Sequence, residues 1–165
     1  CLSLIALYSA SGIYHFSRAA ANVLVVLRKL DHAMIYVLIA GTYTPLLLGL
    51  LPAPRAEVFT AVIWGVALAG IVMKLCWINA PRWLGTTLYL LLGWAIAIDL
   101  PALAALPVPA VALLAAGGLL YTAGGLIYMI KRPNLSERFG FHEIFHLFVI
   151  AGSLCHYFLV LLYIA

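Results

Sequence analysis

The chain has 165 residues, of which 67% are hydrophobic and only 8% are charged. Soluble domains carry about 25% charged residues, so a chain this apolar could not cover a surface that faces water. The formal net charge is +4, but the basic residues stand at the ends of apolar runs and do not form one patch. This distribution argues against nucleic acid as a partner and is typical of the loops of an integral membrane protein.

Six apolar segments follow one another along the chain, separated by proline, asparagine and charged residues. They run from about Leu2 to Phe16, Asp31 to Leu51, Val58 to Ile78, Leu84 to Leu100, Val108 to Ile130, and Phe141 to Ile164. A bilayer core of about 30 Å needs roughly 20 helical residues, and open strands would leave unpaired backbone groups in lipid. We therefore predict an all-α, polytopic transmembrane helix bundle that forms a single domain over residues 1–165. The paired glycines Gly117–Gly118 and Gly124–Gly125 are expected to allow close helix packing.

The beginning of the chain and its cysteines narrow the interpretation further. The sequence lacks an initiator methionine and opens inside a short apolar segment, so we expect a fragment from which an earlier helix is absent. The cysteines Cys1, Cys76 and Cys155 are widely separated and form no C-x-x-C pair. We therefore predict neither a disulfide framework nor a thiolate metal site.

The lysine and arginine residues set the expected orientation. Eight of the nine lie in the connections after the first, third and fifth segments, which must share one side of the membrane. These eight are Arg18, Arg28, Lys29, Lys74, Arg82, Lys131, Arg132 and Arg138, whereas Arg55 lies on the other side. Because cytoplasmic loops carry the excess of basic residues, we predict that the side with eight is cytoplasmic and that the C-terminus is outside.

Four ionisable residues fall at one level near the predicted cytoplasmic face. His15 closes the first helix, Asp31 opens the second, and His142 and His146 open the last. Ionisable groups inside a membrane are costly and therefore mark candidate functional sites. His142 and His146 are four residues apart and project from one helix face, as do Ser11 and His15.

Three histidines that leave one coordination position open are typical of a catalytic zinc site. We therefore predict a metal site made by His15, His142 and His146 beside Asp31. Zinc is favoured, although imidazole and carboxylate ligands also suit iron and other divalent metals. The alternative is that each histidine is a polar residue in helix packing.

Two further histidines are expected to lie outside this site. His32 follows Asp31 but should point about 100° away from it on a helix, so we interpret it as an interfacial residue. His156 lies about 15 Å beyond His146 along the helix axis, too far to share a ligand set with it. We interpret His156 as a hydrogen-bond partner between helices.

The residues from His142 to His146 also match H-E-x-x-H, a signature of zinc proteases in which the glutamate is the general base. Here that base would be Glu143, and His15 would be the third ligand. The motif is short and occurs by chance in many chains. An intramembrane protease therefore remains an alternative to other zinc chemistry.

Several stretches together carry a family resemblance. They are Ser11 to His15, Lys29 to Tyr36, Ala40 to Pro45, His142 to His146, and Cys155 with His156. With these motifs in this order over essentially the whole chain, the sequence resembles the progestin and adipoQ receptor family, within it the bacterial hemolysin III branch. The resemblance implies seven transmembrane helices, the first of them absent here, in a bacterial inner membrane.

The resemblance also implies roles for particular residues. It assigns the zinc ligands to His15, His142 and His146, the partner of the zinc-bound water to Asp31, and the motif serine to Ser11. In the family, the position that Glu143 occupies between His142 and His146 need not be acidic. This argues against Glu143 as a general base.

From these residues we expect zinc-dependent hydrolysis of a membrane lipid amide or ester, with ceramide-hydrolysing relatives as the analogy. Zinc would activate water, Asp31 would accept its proton, and Ser11 would orient the water or the oxyanion. A non-enzymatic receptor or membrane-homeostasis factor with structural zinc is the second hypothesis. A pore-forming cytolysin is the third, disfavoured because the helices are apolar all round.

Overall fold

The computed structural model describes residues 2–98, 103–104, 106–136 and 139–164. Over these ranges it contains six α-helices, a short 3-10 helix and no β-strand, which confirms the prediction of an all-α, polytopic membrane protein. The helices are α1 (Leu2–Phe16), α2 (Ala21–Leu50), α3 (Arg55–Cys76), α4 (Arg82–Gly93), α5 (Val108–Ile130) and α6 (Phe141–Tyr163). They form two compact units, Cys1–Pro81 and Arg82–Ala165, with three α-helices each.

Four of the helices, α2, α3, α5 and α6, are long and apolar enough to cross a membrane. Helix α1 is apolar as well, but its 15 residues span only about 22 Å. The long helices leave large aliphatic side chains exposed, among them Val62, Leu119 and Leu162. Exposed apolar surface of this kind matches lipid as the surrounding solvent.

Helix α2 begins ten residues earlier than the sequence predicted, at Ala21 and not near Asp31. Arg28 and Lys29 therefore lie inside the helix and not in a loop, and Asp31 occupies its interior. The residues before Arg28 are mostly apolar and include neither proline nor glycine, so nothing in them ends the helix. The long stems of Arg and Lys let the charged groups reach the interface from a helical position.

Helix α4 is shorter than its predicted segment, which was to run from Leu84 to Leu100. The α-helix ends at Gly93, and a 3-10 helix, Ala95–Ile98, follows it; Leu100 lies outside the described residues. Glycine has low helix propensity, and the Trp94 indole N–H donates a hydrogen bond to Thr122 Oγ1 of α5 at 2.9 Å. This side-chain contact holds the end of α4 against α5. The bounds of α3 differ from those predicted by two or three residues.

In the first unit, α2 packs against both α1 and α3. Tyr36 and Leu47, both on α2, are among its fully buried large side chains. The Tyr36 ring lies directly over Gly70 of α3, where a Cβ atom would overlap it. The absence of a side chain at Gly70 thus lets α2 and α3 approach closely enough to enclose an aromatic ring.

In the second unit, α5 and α6 pack through the glycine pairs that the sequence singled out. A Cβ atom on Gly117 would lie 2.6 Å from His156 Cε1, and one on Gly124 would lie 2.9 Å from Phe148 Cβ. Gly125 faces α4, where a Cβ atom would lie 3.1 Å from Thr86 Cγ2. The expectation that these glycines allow close helix packing is confirmed, because the space of the missing side chains is filled by neighbouring helices.

Candidate metal centre

The start of α6 is fixed by two side chains that bind its first backbone N–H groups. Glu143 Oε2 accepts a hydrogen bond from the Gly140 N–H at 2.8 Å, and Asn134 Oδ1 accepts one from the Phe141 N–H at 3.1 Å. The N–H groups at a helix start lack partners within the helix, so these bonds stabilise the first turn. They also fix the backbone that carries His142.

His142 and His146 lie on one face of α6, as their spacing predicted. Their Nε2 atoms are 3.1 Å apart, and the ring planes are nearly perpendicular at 89°. Two imidazole nitrogens at about 2.0–2.1 Å from one tetrahedral zinc ion lie roughly 3.3–3.4 Å from each other. The observed separation is close to that value, so this pair fits two positions of one zinc ion with only a small rotation of the rings.

Aromatic side chains surround this pair within the second unit. The ring centroids of Tyr128 and Phe145 each lie 6.2 Å from that of His142. The Arg82 guanidinium stacks over Tyr128, 5.2 Å from the ring centroid, and lies 5.7 Å from that of Phe141. The start of α4, the end of α5 and the start of α6 therefore meet at the same end of the unit, and the aromatic rings restrict the histidine side chains.

His15 and Ser11 lie on α1 in the first unit. His15 is in the last turn of α1, as predicted, where it is exposed and its ring centroid is 4.8 Å from that of Tyr14. Ser11, one turn earlier, is only 9% exposed. The two residues therefore differ in environment, with the serine buried and the imidazole accessible to a ligand.

Asp31 is a buried carboxylate of α2, 9% exposed, and its nearest described ionic partner is His32. Asp31 Oδ2 lies 3.6 Å from His32 Nδ1, and the same nitrogen donates a hydrogen bond to the Arg28 carbonyl at 2.9 Å. The expectation that His32 points away from Asp31 was wrong. Although the two Cβ atoms diverge, the imidazole turns back along the helix to reach the carbonyl four residues earlier, and this brings it beside the carboxylate.

His156 lies further along α6 and is separate from the pair, as predicted. Its ring stacks on Tyr121 of α5 at a centroid distance of 5.3 Å, and its Nδ1 has no hydrogen-bond partner in the described part of the chain. A hydrogen bond between these helices joins Tyr121 Oη and Ser153 Oγ at 2.9 Å. His156 is thus a helix-packing residue, but by ring stacking and not by the interhelical hydrogen bond that we expected.

Sequence reasoning missed the environment of Lys74, which it counted among the loop charges. Lys74 lies in the last turn of α3 and is only 4% exposed. Close to it, Lys29 Nζ donates a hydrogen bond to the Leu75 carbonyl at 2.5 Å. The uninterrupted apolar run before Lys74 was the available signal that the helix includes it.

Comparison with known proteins gives a likeness along nearly the whole chain. The sequence model of the haemolysin-III related family matches residues 1–157. The Hemolysin-3 homolog of Bacillus subtilis (strain 168) is 37% identical over 163 residues, which cover 98% of this chain and 74% of the relative. Hemolysin-3 of Bacillus cereus is 38% identical over 136 residues, which cover 82% of this chain and 60% of the relative. No solved structure matches the chain.

Proposed function

Because the chain belongs to the haemolysin-III related family and is an integral membrane protein, we propose that it is a zinc-dependent hydrolase of a lipid amide or ester. The observation that carries the proposal is the 3.1 Å separation of the His142 and His146 Nε2 atoms. His15 is the proposed third ligand, on the grounds of its exposed imidazole and of the family resemblance. A fourth position is left for substrate and water.

The chemistry divides between the metal and the protein side chains. Zinc, when bound, is a Lewis acid that polarises a carbonyl oxygen and activates water at neutral pH. Asp31 is the proposed general base: it takes a proton from the water whose oxygen attacks the carbonyl carbon. The same carboxyl then gives that proton to the departing amine or alcohol as the C–N or C–O bond breaks. Ser11 is the proposed hydrogen-bond donor to the oxyanion.

The position of the histidines on α6 supports a lipid as substrate. His142 is the second residue of α6, so it is close to the end of a membrane-crossing helix and not at the bilayer centre. The amide and ester carbonyls of membrane lipids lie at this boundary between head groups and hydrocarbon. We propose that lipids reach the histidines sideways from a bacterial plasma membrane, on the cytoplasmic side that the basic residues favour.

The test compares two changes of a carboxylate to an amide in the purified full chain in lipid nanodiscs. Zinc is measured by elemental mass spectrometry, and release of fatty acid from ceramide or phospholipid is measured by chromatography. We expect Asp31→Asn to keep zinc and to lose about 10²–10⁴-fold in turnover, as removal of a general base does. The matched control Glu143→Gln should keep both. Absence of zinc from the unaltered protein, or full turnover by Asp31→Asn, would refute the proposal.

A structural role for zinc is the second candidate. One ion held by the pair on α6 and the proposed third ligand, His15, would stabilise the folded chain, a role that needs no chemistry. Three results together would favour a receptor or homeostasis factor over a hydrolase. They are stoichiometric zinc, a large loss of thermal stability on chelation, and no turnover of any lipid class.

The names of the two Bacillus relatives, Hemolysin-3 homolog and Hemolysin-3, also suggest membrane lysis as an activity. Among the described residues the long helices are strongly apolar, which leaves little polar surface to line a wide pore. We therefore expect no protein-dependent current in planar bilayers. A reproducible current would contradict this expectation and favour pore formation as the function.

A further inference from the structure

Lys74 is a buried cation with no salt bridge to any residue that the structure describes. It is 4% exposed, and no carboxylate oxygen lies within 4.0 Å of its Nζ among the residues that the structure describes. A charged group removed from water is costly unless an opposite charge compensates it. We therefore expect an anion close to Lys74 that compensates its positive charge.

The other charged residues described around Lys74 add to the excess of positive charge. Arg28 of α2 is half-buried and close enough to Lys74 for the two cations to repel each other. Lys29 is fixed at the same place by its hydrogen bond to the Leu75 carbonyl. The carboxylate of this region, Asp31, is beside His32. Three cations thus share one carboxylate, and repulsion between cations is strong where water is scarce.

The lengths of the helices indicate that the three cations lie at the level of the lipid head groups. Helix α2 has 30 residues and is about 45 Å long, more than the roughly 30 Å that the hydrocarbon requires. The stretch from Arg28 to Leu50 alone measures about 33 Å, so the turns before Arg28 extend past the hydrocarbon. The hydrogen bond from Lys29 to Leu75 brings the last turn of α3, with Lys74, to the same level.

We propose that Arg28 and Lys74 bind the phosphate of an anionic phospholipid between the ends of α2 and α3. The planar guanidinium of Arg28 offers two parallel N–H donors to phosphate oxygens, and Lys74 supplies a second, deeper charge. Lys29 holds the two helices together and so positions both groups. Basic pockets between membrane helices are a common type of site for acidic head groups.

The apolar surface beside the cations fits the acyl chains of the same lipid. Leu30 of α2 is exposed two residues past Arg28, and Val72 of α3 is exposed two residues before Lys74, so both lie on the hydrocarbon side of the cations. A phosphate held by Arg28 and Lys74 therefore has lipid-facing aliphatic side chains on both helices beneath it. This site involves none of the three histidines and is independent of zinc.

The test measures lipid retention by the full chain. Protein is reconstituted in nanodiscs of phosphatidylcholine with phosphatidylglycerol, extracted in mild detergent, and examined by native mass spectrometry. We expect Lys74→Gln and Arg28→Gln each to retain at least about tenfold less phosphatidylglycerol, since a hydrogen bond between charged groups is lost. The matched control is Arg18→Gln, an exposed cation between α1 and α2, which should change retention less than about twofold.

A stability measurement gives a second, independent readout. In phosphatidylcholine alone, Lys74→Gln should raise the thermal midpoint, because it removes an uncompensated buried charge. Added phosphatidylglycerol should raise the midpoint of the unaltered protein and of Arg18→Gln, but not that of Lys74→Gln. If Lys74→Gln does not fold, Arg28→Gln carries both measurements.

Several results would overturn the inference. Unchanged phosphatidylglycerol retention by Lys74→Gln and Arg28→Gln is one, and an equal loss with Arg18→Gln is another. Displacement by millimolar inorganic phosphate, with no preference for phosphatidylglycerol over phosphatidylcholine, would show that the site takes free phosphate and not lipid. Retention by a His142→Ala, His146→Ala double variant is expected, so failure of the zinc proposal would leave this site standing.

Discussion

The Nε2 atoms of His142 and His146 face each other at 3.1 Å across one turn of α6. The helix supplies this geometry by itself, since residues four apart lie on one face. The hydrogen bonds from Gly140 to Glu143 and from Phe141 to Asn134 then fix the turn that carries His142. A metal ion would thus meet two ligands that are already positioned, with little loss of conformational entropy on binding.

The first prediction concerns the metal ligands. We expect His146→Ala to lower the zinc content from close to one ion per chain towards zero, because only two of the three proposed ligands, His142 and His15, remain. Elemental analysis after dialysis against a weak chelator measures this. The matched control is His156→Ala on the same helix, which removes the ring stacked on Tyr121 and should lower stability but leave zinc in place. Equal zinc loss in both variants would contradict the assignment.

The second prediction separates the proposed lipid hydrolase from a zinc protease. Glu143 is exposed, and its carboxylate accepts the Gly140 N–H at the start of α6. Replacement by Gln keeps a hydrogen-bond acceptor there, so we expect zinc, lipid turnover and stability to change little. Turnover of lipid and of unfolded peptide substrates would be assayed side by side. Removal of a general base lowers turnover by about 10²-fold or more, so a loss of this size in Glu143→Gln would favour the protease instead.

The third prediction concerns the contact between Gly117 and His156. A methyl group on Gly117 would lie 2.6 Å from the His156 imidazole, and the same ring stacks on Tyr121. We expect Gly117→Ala to destabilise the protein by about 1–3 kcal/mol, as overpacking does. Chemical unfolding in detergent micelles measures the change.

Two controls make that prediction specific. Gly65→Ala on α3 has no neighbour within 4 Å and should be neutral or slightly stabilising. Adding His156→Ala to Gly117→Ala should recover part of the loss, because the small residue makes room for the methyl group. No recovery in the double variant would show that the cost arises elsewhere.

The fourth prediction concerns the hydrogen bond between Tyr121 Oη and Ser153 Oγ, which joins α5 to α6 at 2.9 Å. Interhelical hydrogen bonds in membranes average only about 0.6 kcal/mol, because the separated groups find other partners. A double-mutant cycle with Tyr121→Phe and Ser153→Ala should therefore give a coupling of about this size. A coupling near zero would mean that this hydrogen bond adds nothing to the stability of the contact between α5 and α6.

Some features followed from the sequence because they depend on neighbours along the chain. The length of the apolar runs predicted the helices, and the spacing of His142 and His146 predicted their common face. Local signals failed where charged residues interrupt an apolar run. Arg28 and Lys29 looked like the end of a loop, although the helix continues through them because their long stems reach the interface.

The sequence by itself determined that this chain crosses a membrane, that it is helical, and that two imidazoles share a face of α6. These properties follow from composition and from the helical period, which act within a few residues. Only the tertiary structure decided that α4 ends at Gly93, that His156 stacks on Tyr121, and that Lys74 is buried beside Arg28. Such properties depend on which helices pack together, and burial of a charge depends on groups remote in the sequence, so no local pattern encodes them.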